Sequence, residues 1–224
     1  MNAHRIVGTR SGIEPVNLFD SDPATHIDPH PRAGELRTWT REYLCQPHPD
    51  LGRSGPVCPY TSHAIANQSL WAAFFEGPSV DAERLTAIID DLYDMFPALP
   101  PQDEPECKFK AVLAVFPDLT DYADIDAVQH DQKSRFVAKG LMLGQFYPGC
   151  TVPGLRNPAF PALDAPLPML AIRHMAATDF PFLSSRHEWV DSYLKIFAPA
   201  IPKFITSAMS DRLVQTTEAA DGNR

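Results

Sequence analysis

The chain has 224 residues, 44% of them hydrophobic, which suits a single domain with a sizeable core. Its formal net charge of −9 argues against nucleic acid and anionic membranes as partners, because both require a cationic surface. No apolar run approaches the roughly 20 residues of a membrane-spanning helix, and the N-terminal residues lack the apolar segment of a signal peptide. We therefore expect a cytoplasmic protein that takes a small-molecule substrate.

Residues 1–31 contain turn formers and few periodic apolar positions, which predicts an irregular N-terminal arm. Residues 32–209 are predicted to form a single domain, and residues 210–224 a flexible tail. Hydrophobic periodicity and helix-stop signals predict helices over 33–44, 61–67, 79–96, 124–140 and 184–197. Strands are predicted over 69–77, 108–116, 141–147 and 168–175, although the first of these segments also permits a helix.

This element order is typical of an α+β fold, with a small mixed or antiparallel sheet covered by helices. The 23 prolines fall between the apolar segments, so long Pro/Gly-rich loops are expected to connect the elements. The four cysteines have no paired metal-binding spacing. In a reducing cytoplasm we expect them to be free thiols.

The stretch from Gly140 to Phe160 begins as an apolar run and ends in a loop rich in Gly and Pro, with several side chains suited to a pocket wall. Phe146, Tyr147 and Phe160 could supply flat apolar surfaces. Arg156 could bind a carboxylate or a haem propionate in a two-pronged contact. Asn157 precedes a proline, which holds it extended. The alternative is an ordered loop packed only by its own side chains.

Cys58-Pro59-Tyr60 resembles a redox motif but lacks its second cysteine and the strand that should precede it, so thiol–disulfide exchange is excluded. A Cys-Pro pair can instead present a thiolate to haem iron. The alternative for Cys58 is an inert free thiol at a helix start.

His174 ends the apolar strand that follows the pocket loop, and neutral imidazole is the usual ligand of haem iron. A histidine at a strand end can equally be a satisfied edge residue. His63 lies in the short helix after Cys58. His48, placed between two prolines, is set aside.

Two resemblances rest on these residues. Gly55–Pro59, Gly144–Gly149 and Leu155–Pro158 resemble the Gly-Pro-x-Cys-Pro, Gly-Gln-Phe-x-Pro-Gly and Leu-Arg-Asn-Pro segments of an uncharacterised bacterial and fungal domain family. More remotely, Cys58–Tyr60 and Leu170–His174 are similar to elements of the YqcI/YcgG-like haem-dependent N-oxygenases. The second resemblance implies a haem cofactor and a substrate with an oxidisable nitrogen.

Together these features predict a haem-dependent, oxygenase-like oxidoreductase acting on a small nitrogen-containing metabolite. His174 is the predicted metal ligand, with Cys58 as the alternative. Further residues are assigned by role: His63, Arg156 and Asn157 as catalytic, and Phe146, Tyr147 and Arg173 as cofactor-binding. The alternative function is a non-catalytic small-molecule-binding or accessory protein that uses the same loop pocket. For the oligomeric state, the sequence is compatible with a monomer and with a homodimer.

Overall fold

The computed structural model describes residues 6–20, 28–103, 105–199, 209–210 and 213–214. Its strands are β1 (Val16–Asn17), β2 (Leu70–Phe74), β3 (Ala111–Val115), β4 (Leu141–Phe146) and β5 (Met169–His174). Its α-helices are α1 (Ala33–Trp39), α2 (Thr61–Ala66), α3 (Ala82–Met95), α4 (Ala123–Ala138) and α5 (His187–Phe197). Every predicted helix and strand in the domain has a counterpart, and the ambiguous segment 69–77 contains a strand.

The strands form one five-stranded sheet in the order β1-β2-β3-β5-β4. The pair β2 and β3 is parallel, with Leu70 opposite Ala111, whereas β3 and β5 are antiparallel, with Val115 opposite Met169. The sheet is therefore mixed, and the prediction of an α+β fold is confirmed. The strand β3 lies between two others, and four of its five side chains are buried, so both of its faces are covered.

One hydrophobic cluster packs α1 and α2 against the sheet. Leu36 of α1 and Ala64 of α2 are buried in it together with Val115 and Met169. This packing fixes the C-terminal end of α1 close to the N-terminal end of β5.

Helix α3 is amphipathic as the sequence predicts, and Leu85, Ile88, Ile89 and Leu92 are all fully buried. Asp81 caps the helix, because its side chain accepts the amide N–H of Arg84 at 2.8 Å. The helix consequently begins at residue 82 rather than at the predicted residue 79.

Part of the predicted N-terminal arm is ordered on α3. The Asp91 carboxylate, 2% exposed, accepts the amide N–H and the hydroxyl of Ser11, both at 2.7 Å. It also accepts the amide N–H of Arg10 at 2.9 Å, and the neighbouring Ile13 is buried. Residues 1–5 and 21–27 of the arm, and most of the predicted tail 210–224, lie outside the described residues.

The chain divides into two compact units, the first from Met1–His130 and Leu143–Arg173, the second from Asp131–Met142 and His174–Arg224. In the second unit, Trp189 packs with Val137 and donates its indole N–H to Ser134 Oγ at 2.9 Å. Gly140, at φ +73°, follows α4 and confirms the predicted glycine stop of that helix. Within the described ranges, no helix combines the length and apolar character needed to cross a membrane.

Candidate functional site

A cavity of about 450 Å³ lies in the first unit, beside the N-terminal end of β5. This volume falls within the usual range of small-molecule sites. Ten residues line it: Trp39, Tyr43, His48, Asp50, Ala159, Phe160, Pro161, Asp164, Ala165 and Pro166. The wall therefore combines the segment that follows α1 with the segment that precedes β5.

Trp39 and Tyr43 give the cavity an aromatic surface. Their ring centroids are 6.3 Å apart and their planes differ by only 19°. The sequence predicts a continuous α-helix here, but Thr40–Leu44 form a π-helical turn. The Thr40 hydroxyl donates to the carbonyl of Leu36 at 2.5 Å, and back-bonding of this kind distorts helices. Single π turns are frequent at functional sites, and this one lies directly at the cavity wall.

His48 and Phe160 extend the series of rings. The His48 ring lies 6.0 Å from Tyr43 and 5.0 Å from Phe160, measured between centroids. Phe160 is 2% exposed, and its carbonyl accepts the amide N–H of Gly154 at 2.8 Å. Of the aromatic side chains predicted for the pocket wall, Phe160 is the one that lines the cavity.

Asn157, a predicted site residue, joins the two loops of the wall. Its Nδ2 donates to the backbone carbonyl of Asp50 at 2.7 Å, and its Oδ1 accepts the amide N–H of Ala159 at 3.0 Å. A Cβ built on Gly52 would lie 2.9 Å from Arg156 Cβ, so the loops are in close contact there as well. Asn157 and Arg156 thus support the wall, and neither lines the cavity.

Asp164 is held in the wall by backbone contacts. Its Oδ1 accepts the amide N–H of Gly149 at 2.8 Å. Gly149 has φ +74°, a conformation that glycine adopts without strain. An isolated β-bridge between Tyr147 and Asp164 aligns the two segments. The carboxylate is therefore oriented by the loop after β4, the stretch that the sequence predicts to form a pocket.

The cavity is electrostatically negative. Asp50 and Asp164 contribute carboxylates, and none of the ten lining residues is lysine or arginine. Burial, and then the charge of Asp164, raise the pKa of Tyr43. Tyr43 therefore remains a neutral phenol at physiological pH and adds no negative charge of its own.

Phe146 and Tyr147 lie near the cavity without lining it. Phe146 packs edge-on against Trp39, with centroids 6.1 Å apart. The Tyr147 hydroxyl donates to Asp126 at 2.9 Å, and its ring stacks on Tyr122 at 4.5 Å. Burial, and then the hydrogen bond to Asp126, raise the pKa of Tyr147. Both residues stabilise the surroundings of the wall.

The remaining predicted site residues lie elsewhere. His63 is exposed and stacks on Phe109 at 4.6 Å, and the Arg173 guanidinium lies 5.8 Å from the Tyr60 ring centroid. Arg173 pairs with Ala111 at the far end of β5, about 13 Å along the strand from its first residue. Neither Cys58 nor His174, the last residue of β5, is a lining residue.

The residues that line the cavity do not fit haem. Asp50 and Asp164 would repel its propionates, with no lysine or arginine in the wall to offset them. His48 Nδ1 already accepts the amide N–H of Asp50 at 3.2 Å, so this nitrogen is engaged within the loop. For metal ions held by side chains alone, the described part of the chain contains no group of three or more His, Cys, Asp or Glu residues that could bind one. No haem-dependent step is assigned to this cavity.

Most of the lining residues escape sequence reasoning, among them Trp39, Tyr43, His48, Asp50 and Asp164. Trp39 and Tyr43 fit the apolar stripe of a helix, which is also the pattern of core residues. His48 and Asp164 lie in loops, where no periodicity reports what a side chain contacts. The only available signal was the concentration of aromatic and polar residues in two Pro/Gly-rich stretches.

Comparison with known proteins places the chain in a family without an assigned activity. A family model described as a domain of unknown function, DUF6875, matches residues 33–208, and the chain belongs to this family. The match contains every lining residue of the cavity. No curated protein and no solved structure matches the chain.

Proposed function

We propose that this member of the DUF6875 family is a small-molecule-binding protein whose cavity takes a small organic cation. The observation that carries the proposal is the combination, in one wall, of stacked aromatic rings with the carboxylates of Asp50 and Asp164. Each element attracts positive charge by a different physical route.

The aromatic rings supply the first attraction. A cation within about 6 Å of a ring centroid gains about 0.5–1 kcal/mol at an exposed site and about 2 kcal/mol where water is excluded. Tryptophan gives the strongest interaction of this kind. Trp39 and Tyr43 are stacked, with ring centroids 6.3 Å apart, and both border the cavity, so a cation in the cavity lies near both rings.

The carboxylates supply the second attraction and the selectivity against other charges. With Asp50 and Asp164 in the wall and no lysine or arginine, an anionic ligand would meet uncompensated repulsion. The formal net charge of −9 adds a long-range field that favours the approach of cations.

The proposal keeps one part of the sequence-based expectation and leaves another aside. A small nitrogen-containing metabolite, the predicted substrate class, is protonated or quaternary in many cases and suits such a cavity. Binding without catalysis is the alternative function that the sequence leaves open. The oxidation of that metabolite by haem finds no support in the residues of this wall.

Isothermal titration calorimetry with tert-butylammonium and tert-butanol tests the proposal, because the two compounds share a shape and differ in charge. We expect the ammonium ion alone to bind, with an affinity that falls as salt is added. Trp39→Leu keeps an apolar side chain and removes the aromatic face, so it should weaken binding about two- to thirtyfold. Trp71→Leu is the matched control, since the Trp71 indole donates to the Pro100 carbonyl and does not line the cavity.

Two results would overturn the proposal. The first is equal binding of tert-butanol, which would mark the cavity as a simple apolar site. The second is an unchanged affinity in Trp39→Leu, or an equal loss in the Trp71→Leu control.

A further inference from the structure

We propose that the bound cation carries at least one N–H group, which it donates to Asp164 Oδ2, and that Gly149 is the positioning residue for that carboxylate. This inference rests on the proposed function and names its ligand class more closely. A quaternary ammonium ion would be the weaker ligand, although aromatic walls alone would accept it.

The first support is the unequal engagement of the two Asp164 oxygens. Oδ1 is bound by the amide N–H of Gly149 at 2.8 Å. Among the described residues, Oδ2 has no hydrogen-bond partner, and Asp164 borders the cavity. A carboxylate held by one oxygen presents the other as a fixed acceptor.

The second support is the contrast with Asp50. Both carboxylates are exposed: the Asp50 side chain is 70% exposed, and the described contact of its Oδ2 is with His48 Nδ1 at 4.0 Å. The Asp50 carboxylate therefore adds negative charge to the cavity, but its oxygens are not held in a fixed orientation. Asp164 is oriented by backbone on both sides, through Gly149 and through the β-bridge to Tyr147.

The third support is the position of Asp164 relative to the aromatic surface. The charge of Asp164 acts on Tyr43, whose ring stacks on Trp39. Asp164, Tyr43 and Trp39 all line the same cavity, so a cation lying on these rings shares the cavity with this carboxylate. A charge-assisted hydrogen bond to a preorganised oxygen is roughly twice as strong as a neutral one. Its strength depends on the direction of the N–H group, whereas the attraction of a cation to an aromatic ring face does not require an N–H group.

Trimethylammonium and tetramethylammonium separate these contributions, because they carry the same charge and differ in a single N–H group. The protein should bind trimethylammonium about two- to fivefold more tightly, as expected for one charge-assisted hydrogen bond to an exposed carboxylate. In Asp164→Asn the affinity for both ions should fall and the preference should disappear. In Asp50→Asn, the control for loss of charge alone, both affinities should fall by a similar factor and the preference should remain.

Gly149→Ala tests the positioning role. A Cβ on Gly149 would have no atom within 4 Å, so the substitution strains the backbone at φ +74° without a clash. We expect it to reduce the preference for trimethylammonium. Gly12→Ala imposes the same kind of strain at φ +73°, again with no atom within 4 Å, and should leave the preference unchanged.

The outcomes distinguish the two proposals. Equal or tighter binding of tetramethylammonium, or a preference that survives Asp164→Asn, would overturn the N–H assignment and leave cation binding intact. A preference that is unchanged in Gly149→Ala would overturn the positioning role. Failure of both ions to bind would overturn the proposed function and this inference with it.

Discussion

Removing the Asp91 carboxylate is predicted to release residues 8–13 from α3. Asp91 is 2% exposed and Ser11 is 8% exposed, so the donors that Asp91 satisfies are shielded from water. Asp91→Ala leaves the Ser11 amide and hydroxyl without their acceptor, and each orphaned buried donor costs about 1–3 kcal/mol. We expect a total loss of about 2–6 kcal/mol, which is a large share of the roughly 5–15 kcal/mol that holds a domain folded.

The same carboxylate predicts a pH dependence. Burial alone would raise the pKa of Asp91, but the hydrogen bonds from Ser11 and then Arg10 prevail and lower it. A folded pKa below the unfolded value means that the unfolded chain binds the proton more tightly. The stabilisation is therefore complete above the unfolded pKa of about 3.9 and is lost as the pH falls through the folded value.

Urea denaturation at pH 7 and again between about pH 4 and 2 measures both effects. Asp91→Asn should be less stable than the parent at pH 7, and the difference should shrink across the acid range. Asp94→Ala is the matched control, because Asp94 pairs with the same Arg10 but is 51% exposed, and exposed pairs contribute at most about 1 kcal/mol. Equal losses in Asp91→Ala and Asp94→Ala, or a constant difference at all pH values, would refute the reasoning.

Three further predictions concern the wall, the thiols and haem. Gly154→Ala places a Cβ 2.9 Å from the Asn157 carbonyl oxygen and should weaken cation binding in calorimetry, whereas Gly34→Ala, with no atom within 4 Å, should not. Alkylation without reductant should modify the half-buried Cys58 faster than Cys150, which is 1% exposed. After unfolding, mass spectrometry should find all four thiols modified, and a disulfide would contradict this prediction. If haem is added, any Soret band should be the same in the parent and in Trp39→Leu, because the cavity does not bind haem. A band that is lost in His174→Ala would instead support His174 as the haem ligand predicted from the sequence.

The elements could be predicted from the sequence because their signals are local. In α3, an apolar residue recurs every three or four positions, and those same side chains face the core. Residues 69–77 are rich in aromatic side chains and end at Gly77, which favours a strand. The structure has β2 over Leu70–Phe74. The start of α3 was predicted at residue 79, but the N-cap is Asp81; Ser79 and Asp81 are both good N-cap residues, and only the folded helix selects one.

The cavity could not be predicted because its walls meet through contacts between distant loops. Asn157 binds the Asp50 carbonyl across 107 residues, and Ser11 binds Asp91 across 80. Hydrophobic periodicity reports which face of an element is buried and carries no information on loop-to-loop contacts. The stretch ending at Phe160 was predicted to form a pocket wall, but its partner, the segment from Trp39 to Asp50, was not identified.

Titration of ¹⁵N-labelled protein with trimethylammonium tests the central claim most directly. If the cation binds in the cavity, the Trp39 indole N–H and the Gly149 amide should shift together and saturate with one dissociation constant. The Trp71 indole, which is hydrogen-bonded to Pro100 outside the cavity wall, should stay in place. Shifts at Trp71 without shifts at Trp39 and Gly149, or no saturable shift up to about 10 mM, would contradict the account.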